Sequence, residues 1–125
     1  RLSTYKITSW DFEKMITAKS KESSFIFLDP PYSESRQIAA YNHAFTQEDH
    51  VRLAKILKKT KQPFLLTYDN TEFIRNLYDW AYQKPFSWTY SIANSRVHHN
   101  PRESGNELFI ANFEIKEQIQ MTLLN

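Results

Sequence analysis

The sequence has 125 residues, enough for one domain, and its composition is that of a globular protein. Its formal net charge is only +2, so overall charge gives no argument for nucleic-acid binding, and such a function has to depend on local patches. The sequence has no cysteine, which excludes disulfides and thiolate chemistry and fits a reducing compartment, and it has no apolar run long enough to span a bilayer.

The first elements predicted along the chain are short. Residues 5–8 favour a strand. Ser9 is a suitable N-cap for a helix that runs to about Lys19, and Asp11 lies in the first turn of that helix. A polar connection over residues 19–24 then leads to the next strand.

The most informative stretch begins with four apolar residues, 25–28, which predict a buried strand. Asp29, Pro30, Pro31 and Tyr32 follow, and because neither proline can donate a hydrogen bond to a sheet, the chain must leave the sheet there. A carboxylate, two carbonyls and an aromatic face then lie at the carboxyl end of a strand, where open α/β sheets bind ligands. A planar ring with an exocyclic amine, such as adenine or cytosine, satisfies all of these groups. The alternative is a proline-stiffened turn with Tyr32 packed on the core.

The next helix is predicted from its cap. A loop over residues 33–44 leads to Thr46, and Asp49 three residues later gives a pattern similar to a capping box. The apolar residues that share one face of this helix are Val51, Ala54 and Leu57.

The second half of the chain continues the alternation of strands and helices. Residues 64–68 form a second apolar strand, Thr71 caps a further helix, and residues 88–94 and 108–113 favour two paired strands. The sequence therefore predicts an α/β fold with a mostly parallel, doubly wound sheet and a closing antiparallel β-hairpin. The buried stripe of the last helix is predicted to be Phe73, Ile74, Leu77 and Tyr78.

The motif Asp29-Pro30-Pro31-Tyr32 resembles the catalytic motif of the amino-methylating DNA methyltransferases, in the form that is typical of the adenine-specific enzymes. Other segments resemble the Dam-type (D12 class) DNA adenine methyltransferases and follow the order of that family, so the resemblance runs from about residue 5 to residue 113. These segments are Trp10-Asp11-Phe12, Tyr41-Asn42, residues 45–50, Leu53-Ala54, residues 90–95 and residues 107–112.

The resemblance implies a Rossmann-like, S-adenosylmethionine-dependent methyltransferase fold that methylates an adenine flipped out of double-stranded DNA. Asp29 and the Pro30 carbonyl are expected to accept hydrogen bonds from the amine, and Tyr32 is expected to stack on the base. The implied setting is a bacterial or phage-like cytoplasm, close to the nucleoid, without metal or membrane; restriction–modification is one possible context. The implied catalytic residues are Asp29, Pro30, Pro31 and Tyr32, and the implied cofactor-binding residues are Asp11, Phe12, Asp29, Tyr41 and Phe45.

One part of the family pattern is not found. The family binds S-adenosylmethionine with a glycine-rich turn after its first strand, where the close approach of the backbone requires glycine. The sequence has one glycine, Gly105, in a late polar loop. We therefore expect residues 1–113 to be the C-terminal catalytic half of a methyltransferase domain, with residues 114–125 as a tail and an N-terminal half of the same protein as the partner.

Two polar stretches are further candidates. The resemblance places the loop over residues 95–106 against DNA, so Arg96 and Arg102 are expected to contact phosphates, although a solvated hairpin tip explains them equally. His98-His99 does not indicate a metal site, because adjacent side chains diverge and no third ligand is evident. Tyr68-Asp69-Asn70 ends an apolar strand at the ligand-binding edge, but an ordinary turn is the simpler interpretation of its last two residues.

Two other functions stay open. The first keeps the enzyme class and changes the substrate to cytosine-N4, RNA or a protein amide, but the motif's leading Asp29 and the flanking matches count against it. The second is a catalytically inactive module that binds DNA or a partner chain, and the lack of a glycine-rich turn motivates it.

Overall fold

The computed structural model describes residues 4–19, 22–33, 45–88 and 105–116. Within these ranges the chain forms a mixed α/β structure of three helices and four strands. No helix in the described ranges has the length and apolar character that a membrane span requires. In chain order the elements are α1 (Phe12–Thr17), β1 (Ile26–Leu28), α2 (Gln47–Lys59), β2 (Phe64–Asp69), α3 (Glu72–Leu77), β3 (Tyr82–Trp88) and β4 (Gly105–Ala111).

The four strands form one sheet in the order β1-β2-β4-β3. β1 is parallel to β2, with Leu28 opposite Leu66, whereas β4 is antiparallel to both of its neighbours, β2 and β3. Among the described strands only the first of these pairings is parallel, so the sheet is mixed rather than mostly parallel as predicted. The alternation of strands and helices along the chain predicts that β1, β2 and β3 run in the same direction. It does not predict that β4 is inserted between β2 and β3.

The predicted antiparallel pair is present with different bounds. The strand predicted at residues 88–94 shares only Trp88 with β3, and residues 89–104 lie outside the described part of the chain. Pro85 lies inside β3, opposite Leu108 of β4. Proline occurs in edge strands because its missing N–H can face away from the partner strand, and β3 is an edge of the described sheet. A sequence pattern that treats proline as a strand breaker therefore misses most of β3.

Local capping signals set the start of two helices. Thr46 Oγ1 accepts from the Asp49 N–H at 3.2 Å and Asp49 Oδ2 accepts from the Thr46 N–H at 2.9 Å, which is a complete capping box for α2. Thr71 Oγ1 accepts from the Ile74 N–H at 3.2 Å and caps α3. Both predicted caps are confirmed.

The first helix differs from its prediction. Its N-cap is Asp11, whose Oδ1 accepts from the Glu13 N–H at 3.0 Å, and not Ser9. The helix ends at Thr17, and residues 5–8 form no strand. A carboxylate at the N-cap binds a free backbone N–H and also complements the helix dipole, which explains why α1 begins later than predicted.

The core lies on one face of the sheet. β2 alternates, with Phe64, Leu66 and Tyr68 fully buried and the residues between them only partly buried. Burial of apolar surface contributes about 25 cal/mol per Å², so the burial of this cluster stabilises the fold. The other buried members of the cluster are Ile16, Leu53, Ala54, Leu57, Ile74, Tyr78, Leu108 and Ile110.

β1 is not the buried strand that its sequence predicts. Phe25 and Phe27 are 56% and 61% exposed, whereas Ile26 and Leu28 are partly buried against the core. β1 lies at an edge of the described sheet, and the alternation of a strand turns Phe27 away from the face that carries its two neighbours. An apolar run predicts a strand, but burial depends on what covers each face of it.

Candidate functional site at the carboxyl edge of the sheet

The segment from Asp29 to Tyr32 leaves the sheet where β1 ends. Because β1 and β2 are parallel, their carboxyl ends lie side by side, and the segment is next to the last residues of β2. β4 runs in the opposite direction, so its first residues reach the same edge, with Glu107 opposite Asp69. The sheet thus brings polar side chains from two neighbouring strands to this segment.

Asp29 has an exposed side chain with two different oxygens. Thr67 Oγ1 donates to Asp29 Oδ1 at 2.6 Å, and the other acceptor near this hydroxyl is the Leu28 carbonyl, at 3.4 Å. Since a hydroxyl has one proton, the shorter contact takes it. Asp29 Oδ2 has no hydrogen-bond partner among the described residues.

Tyr32 keeps an exposed ring while its hydroxyl is fixed. The side chain is 39% exposed and lies outside the buried core, unlike in the turn interpretation. Its hydroxyl donates to Glu107 Oε1 at 2.6 Å. Burial, the bond to Glu107 and the negative charges of Glu107, Asp29 and Asp69 raise the pKa of Tyr32 above its usual value. The hydroxyl is therefore neutral and held by Glu107, and part of the Tyr32 side chain is exposed.

Ser33 fixes the end of the segment. Its N–H and its hydroxyl donate to the two carboxylate oxygens of Asp69, at 3.0 and 2.7 Å. Asp69 also forms the predicted turn, because the Thr71 N–H donates to the Asp69 carbonyl at 2.9 Å. The interpretation of Asp69 as an ordinary turn residue is thus incomplete, because its carboxylate also binds Ser33. The sequence signal for this contact was the position of Asp69 at the carboxyl end of β2.

The electrostatics of the site favour a hydrogen-bond donor. Three carboxylates lie at the segment: Asp29 belongs to it, Asp69 is hydrogen-bonded to Ser33, and Glu107 is hydrogen-bonded to Tyr32. A neutral amine can donate to such groups, whereas a phosphate is repelled by their negative charge. The arrangement therefore suits an exocyclic amine on an aromatic ring and disfavours a phosphate at this position.

Two of the predicted cofactor-binding residues, Phe12 and Phe45, pack against each other. The rings of Phe12 and Phe45 have centroids 5.5 Å apart. Phe45 also packs edge-on against His50 at 4.7 Å, and His50 Nδ1 is hydrogen-bonded to the Tyr68 hydroxyl at 2.5 Å. This row of rings connects α1 to β2 by way of α2.

His50 is a buried polar residue that the sequence analysis did not single out. Burial lowers the pKa of His50, although the negative charges of Asp69 and Asp49 act in the opposite direction. Its partner Tyr68 is also neutral, because burial and then Asp69 raise the pKa of that hydroxyl. The available signal was helical spacing, since residue 50 precedes Leu53, Ala54 and Leu57 at intervals of three, four and seven on the apolar face of α2.

Asp11 takes part in the contact between α1 and α2. Arg52 donates to its two carboxylate oxygens, at 2.9 and 3.0 Å, and the guanidinium lies 4.1 Å from the centre of the Phe12 ring. The bonds from Arg52 and from the Glu13 N–H hold the pKa of Asp11 below its usual range. A carboxylate has about four acceptor positions, so these bonds leave Asp11 some capacity for a ligand hydroxyl.

A groove of about 640 Å³ lies beside β1 and α1. Sites for small molecules have volumes of about 300–1,000 Å³ and mostly apolar walls. The groove therefore has the size and the apolar lining of a small-molecule site. The one glycine of the sequence, Gly105, begins β4 and cannot supply a glycine-rich turn here. Its wall includes Trp10, Phe12, Met15, Ile16, Phe25 and Leu28.

The structure groups some of the predicted site residues and adds others. It brings Asp29 and Tyr32 together with three residues that the sequence analysis did not assign to the site, namely Thr67, Asp69 and Glu107. In the motif, Pro30 is partly buried and Pro31 is exposed. The predicted residues Tyr41, Arg96, His98, His99 and Arg102 lie outside the described part of the chain.

Comparison with known proteins gives two matches. Residues 1–93 match the family described as D12 class N6 adenine-specific DNA methyltransferase. A curated relative, the Type II methyltransferase M.CviBI of Paramecium bursaria Chlorella virus NC1A, is 40% identical over 68 residues. That similarity covers 54% of this chain and 26% of the relative, so the chain matches about a quarter of the length of that protein.

Proposed function

Because the chain belongs to the family of D12 class N6 adenine-specific DNA methyltransferases, we propose that it carries the catalytic segment of an enzyme that methylates the N6 amine of adenine in DNA. The observation that supports this proposal most directly is the arrangement at the carboxyl edge of the sheet. There, Asp29 presents one oxygen without a partner among the described residues, and Tyr32 presents an exposed ring.

The proposed role of Asp29 follows from the chemistry of the amine. The lone pair of an exocyclic amine is delocalised into the base, so the nitrogen is a poor nucleophile. Hydrogen bonds from the amine to Asp29 Oδ2 and to the Pro30 carbonyl favour the tetrahedral nitrogen that can attack, and they orient it. Neither acceptor has to be a strong base for this role.

The proposed role of Tyr32 is to hold the adenine once it has left the duplex. Enzymes that modify a base flip it into a pocket and read it by stacking and hydrogen bonds. The bond from the Tyr32 hydroxyl to Glu107 fixes one end of the ring without covering its exposed surface. Stacking on an aromatic face contributes about 1–3 kcal/mol per base, which offsets part of the loss of base stacking in DNA.

S-adenosylmethionine is the proposed donor, and when bound it supplies a methyl group on a positively charged sulfur. Of the described residues, Phe12 and Phe45 offer ring faces and Asp11 offers acceptor capacity, and we propose that they hold part of the cofactor. Tyr41 and the Asp29 carboxylate complete the proposed set. The apolar groove beside Phe12 supports this assignment.

Double-stranded DNA is the proposed macromolecular partner. The acidic side chains around the motif disfavour phosphate, so the duplex has to be held by other residues. Arg96 and Arg102 are the proposed phosphate contacts, which position DNA without reading its sequence.

The test is methyl transfer from labelled S-adenosylmethionine to unmethylated DNA, with the longest natural polypeptide that contains these 125 residues. The modified nucleoside is then identified. Label in N6-methyladenine supports the proposal, whereas label in N4-methylcytosine or in RNA assigns a different amine as the substrate. No transfer by a folded protein would favour an inactive module that binds DNA or a partner chain.

A further inference from the structure

The hydroxyl of Thr67 donates the one hydrogen bond that the carboxylate of Asp29 accepts from the described residues. Neither the motif nor the family comparison assigns a role to Thr67. Thr67 lies in β2, 38 residues from Asp29 in sequence, and it is only partly buried. Its separation of 2.6 Å from Asp29 Oδ1 is that of a strong hydrogen bond to a charged oxygen. The Leu28 carbonyl is the other acceptor near this hydroxyl, but at 3.4 Å it is the more distant of the two.

The position of Thr67 in the sheet restricts the movement of its hydroxyl. β2 is paired on both sides, with β1 and with β4, so its backbone is held. Threonine is branched at Cβ, which restricts rotation about χ1. Asp29, by contrast, is exposed at the start of the segment that leaves the sheet, where a free carboxylate would sample several rotamers.

We propose that Thr67 is a positioning residue that binds Oδ1 of Asp29 and thereby turns Oδ2 toward the amine of the target base. This inference rests on the proposed methyltransferase function. Thr67 touches neither the base nor the cofactor in this arrangement and acts through Asp29 alone. Two other hydrogen bonds, Ser33 to Asp69 and Tyr32 to Glu107, fix the far end of the segment. Neither of them involves the carboxylate of Asp29, on which Thr67 acts.

The experiment compares Thr67→Val with Thr67→Ser in the longest natural polypeptide that contains this chain. Valine keeps the shape and removes the hydroxyl, whereas serine keeps the hydroxyl. We expect Thr67→Val to lower kcat about tenfold and to leave the KM values for DNA and S-adenosylmethionine within about twofold, since an orienting bond acts on the reacting complex. Thr67→Ser is expected to retain most of the wild-type kcat.

The matched control is Thr60→Val, the same change at the C-cap of α2, where Thr60 Oγ1 accepts only a 3.3 Å bond from the Gln62 N–H. It is expected to leave kcat unchanged. If valine is not accommodated at position 67 and the melting temperature falls, Thr67→Ala against Thr67→Ser gives the same comparison.

The outcomes separate this inference from the function on which it rests. An equal loss of kcat in Thr67→Val and Thr67→Ser, a wild-type kcat in Thr67→Val, or a change confined to KM would overturn the positioning role alone. A wild-type enzyme that forms no N6-methyladenine would overturn both the positioning role and the proposed function.

Discussion

Asp29 differs from an ordinary surface carboxylate because its two oxygens have separate surroundings. Oδ1 accepts from Thr67, and Oδ2 faces no hydrogen-bond donor among the described residues. The side chain is exposed and is not part of the core cluster, so removing it changes the chemistry of the site much more than the stability of the fold.

We therefore expect Asp29→Ala to abolish adenine methylation while the melting temperature stays close to that of the wild type. Methyl transfer in the longest natural polypeptide and a thermal melt check the two parts of this prediction. Asp79→Ala is the matched control, because it removes an exposed aspartate after α3, away from the motif, and should leave turnover unchanged. Retained turnover in Asp29→Ala with a normal melting curve would contradict the role of Asp29.

Tyr32 is expected to tolerate loss of its hydroxyl better than loss of its ring. Stacking needs the ring, and removing it should cost about 1–3 kcal/mol, or about 5- to 150-fold in kcat/KM for DNA in Tyr32→Ala. Tyr32→Phe loses only the bond to Glu107 that orients the ring, so a smaller loss is expected. Steady-state kinetics of the two variants test the difference.

Glu107→Gln is the control for this comparison, since an amide oxygen can still accept from the Tyr32 hydroxyl. It should behave like the wild type, because the Tyr32 hydroxyl keeps an acceptor. Equal losses in Tyr32→Phe and Tyr32→Ala would argue against stacking and in favour of a role for the hydroxyl.

The sequence singles out the motif residues as candidates, but it does not predict the residues that are hydrogen-bonded to them. Asp29 and Tyr32 were predicted because they are adjacent in the chain to a strand and two prolines. Thr67 and Glu107 lie 38 and 75 residues away from their partners, and their contacts arise only when β2 and β4 are placed beside β1. No local pattern specifies which strand lies beside which.

At the scale of elements, α2 is joined to β2 by a buried pair of neutral groups. His50 is 3% exposed, and its ring nitrogen is bonded to the hydroxyl of the fully buried Tyr68. Because burial disfavours the charged imidazole, the native protein binds a proton at this position less readily than the unfolded chain does.

This difference predicts a loss of stability in mild acid. The unfolded chain protonates His50 as pH falls below about 6.5, whereas the native state does so only at lower pH. Within that interval the unfolded state holds more protons, so the free energy of unfolding decreases as pH falls. Denaturant unfolding at pH 7.5, 6.5 and 5.5 measures this decrease.

Two variants identify the group responsible. His50→Gln should have a smaller dependence on pH between 7.5 and 5.5 than the wild type. Tyr68→Phe removes the hydrogen bond but keeps the imidazole buried, so it should retain the dependence. An unchanged pH dependence in His50→Gln would show that other groups cause it.

The helices and strands also show which structural features a local sequence pattern predicts and which it does not. The caps Thr46 and Thr71 were predicted because a cap is formed by residues three positions apart. The bounds of β3 were not predicted, because a strand can contain Pro85 only if it lies at an edge of the sheet. The exposure of Phe27 was not predicted, because it depends on which elements pack on each face of β1.

At the scale of the whole molecule, the described residues form one side of the proposed cofactor site. The groove beside β1 has a largely apolar lining, and three of its lining residues, Trp10, Phe25 and Phe27, are exposed. The backbone cradle that glycine would allow is absent from these 125 residues, since Gly105 is the one glycine and it lies in β4. We therefore expect the polar end of S-adenosylmethionine to make few contacts with these residues.

We accordingly expect the isolated 125-residue chain to bind S-adenosylmethionine weakly, with a Kd above about 1 mM, because ring contacts alone supply only a few kcal/mol. Isothermal titration calorimetry measures the affinity, and circular dichroism confirms that the isolated chain is folded under the same conditions. The longest natural polypeptide that contains the chain is the positive control, and Phe12→Ala tests whether residual binding uses the groove. Micromolar binding by the folded, isolated chain would show that a glycine-rich turn is dispensable and that the residues around Phe12 and Phe45 form most of the site.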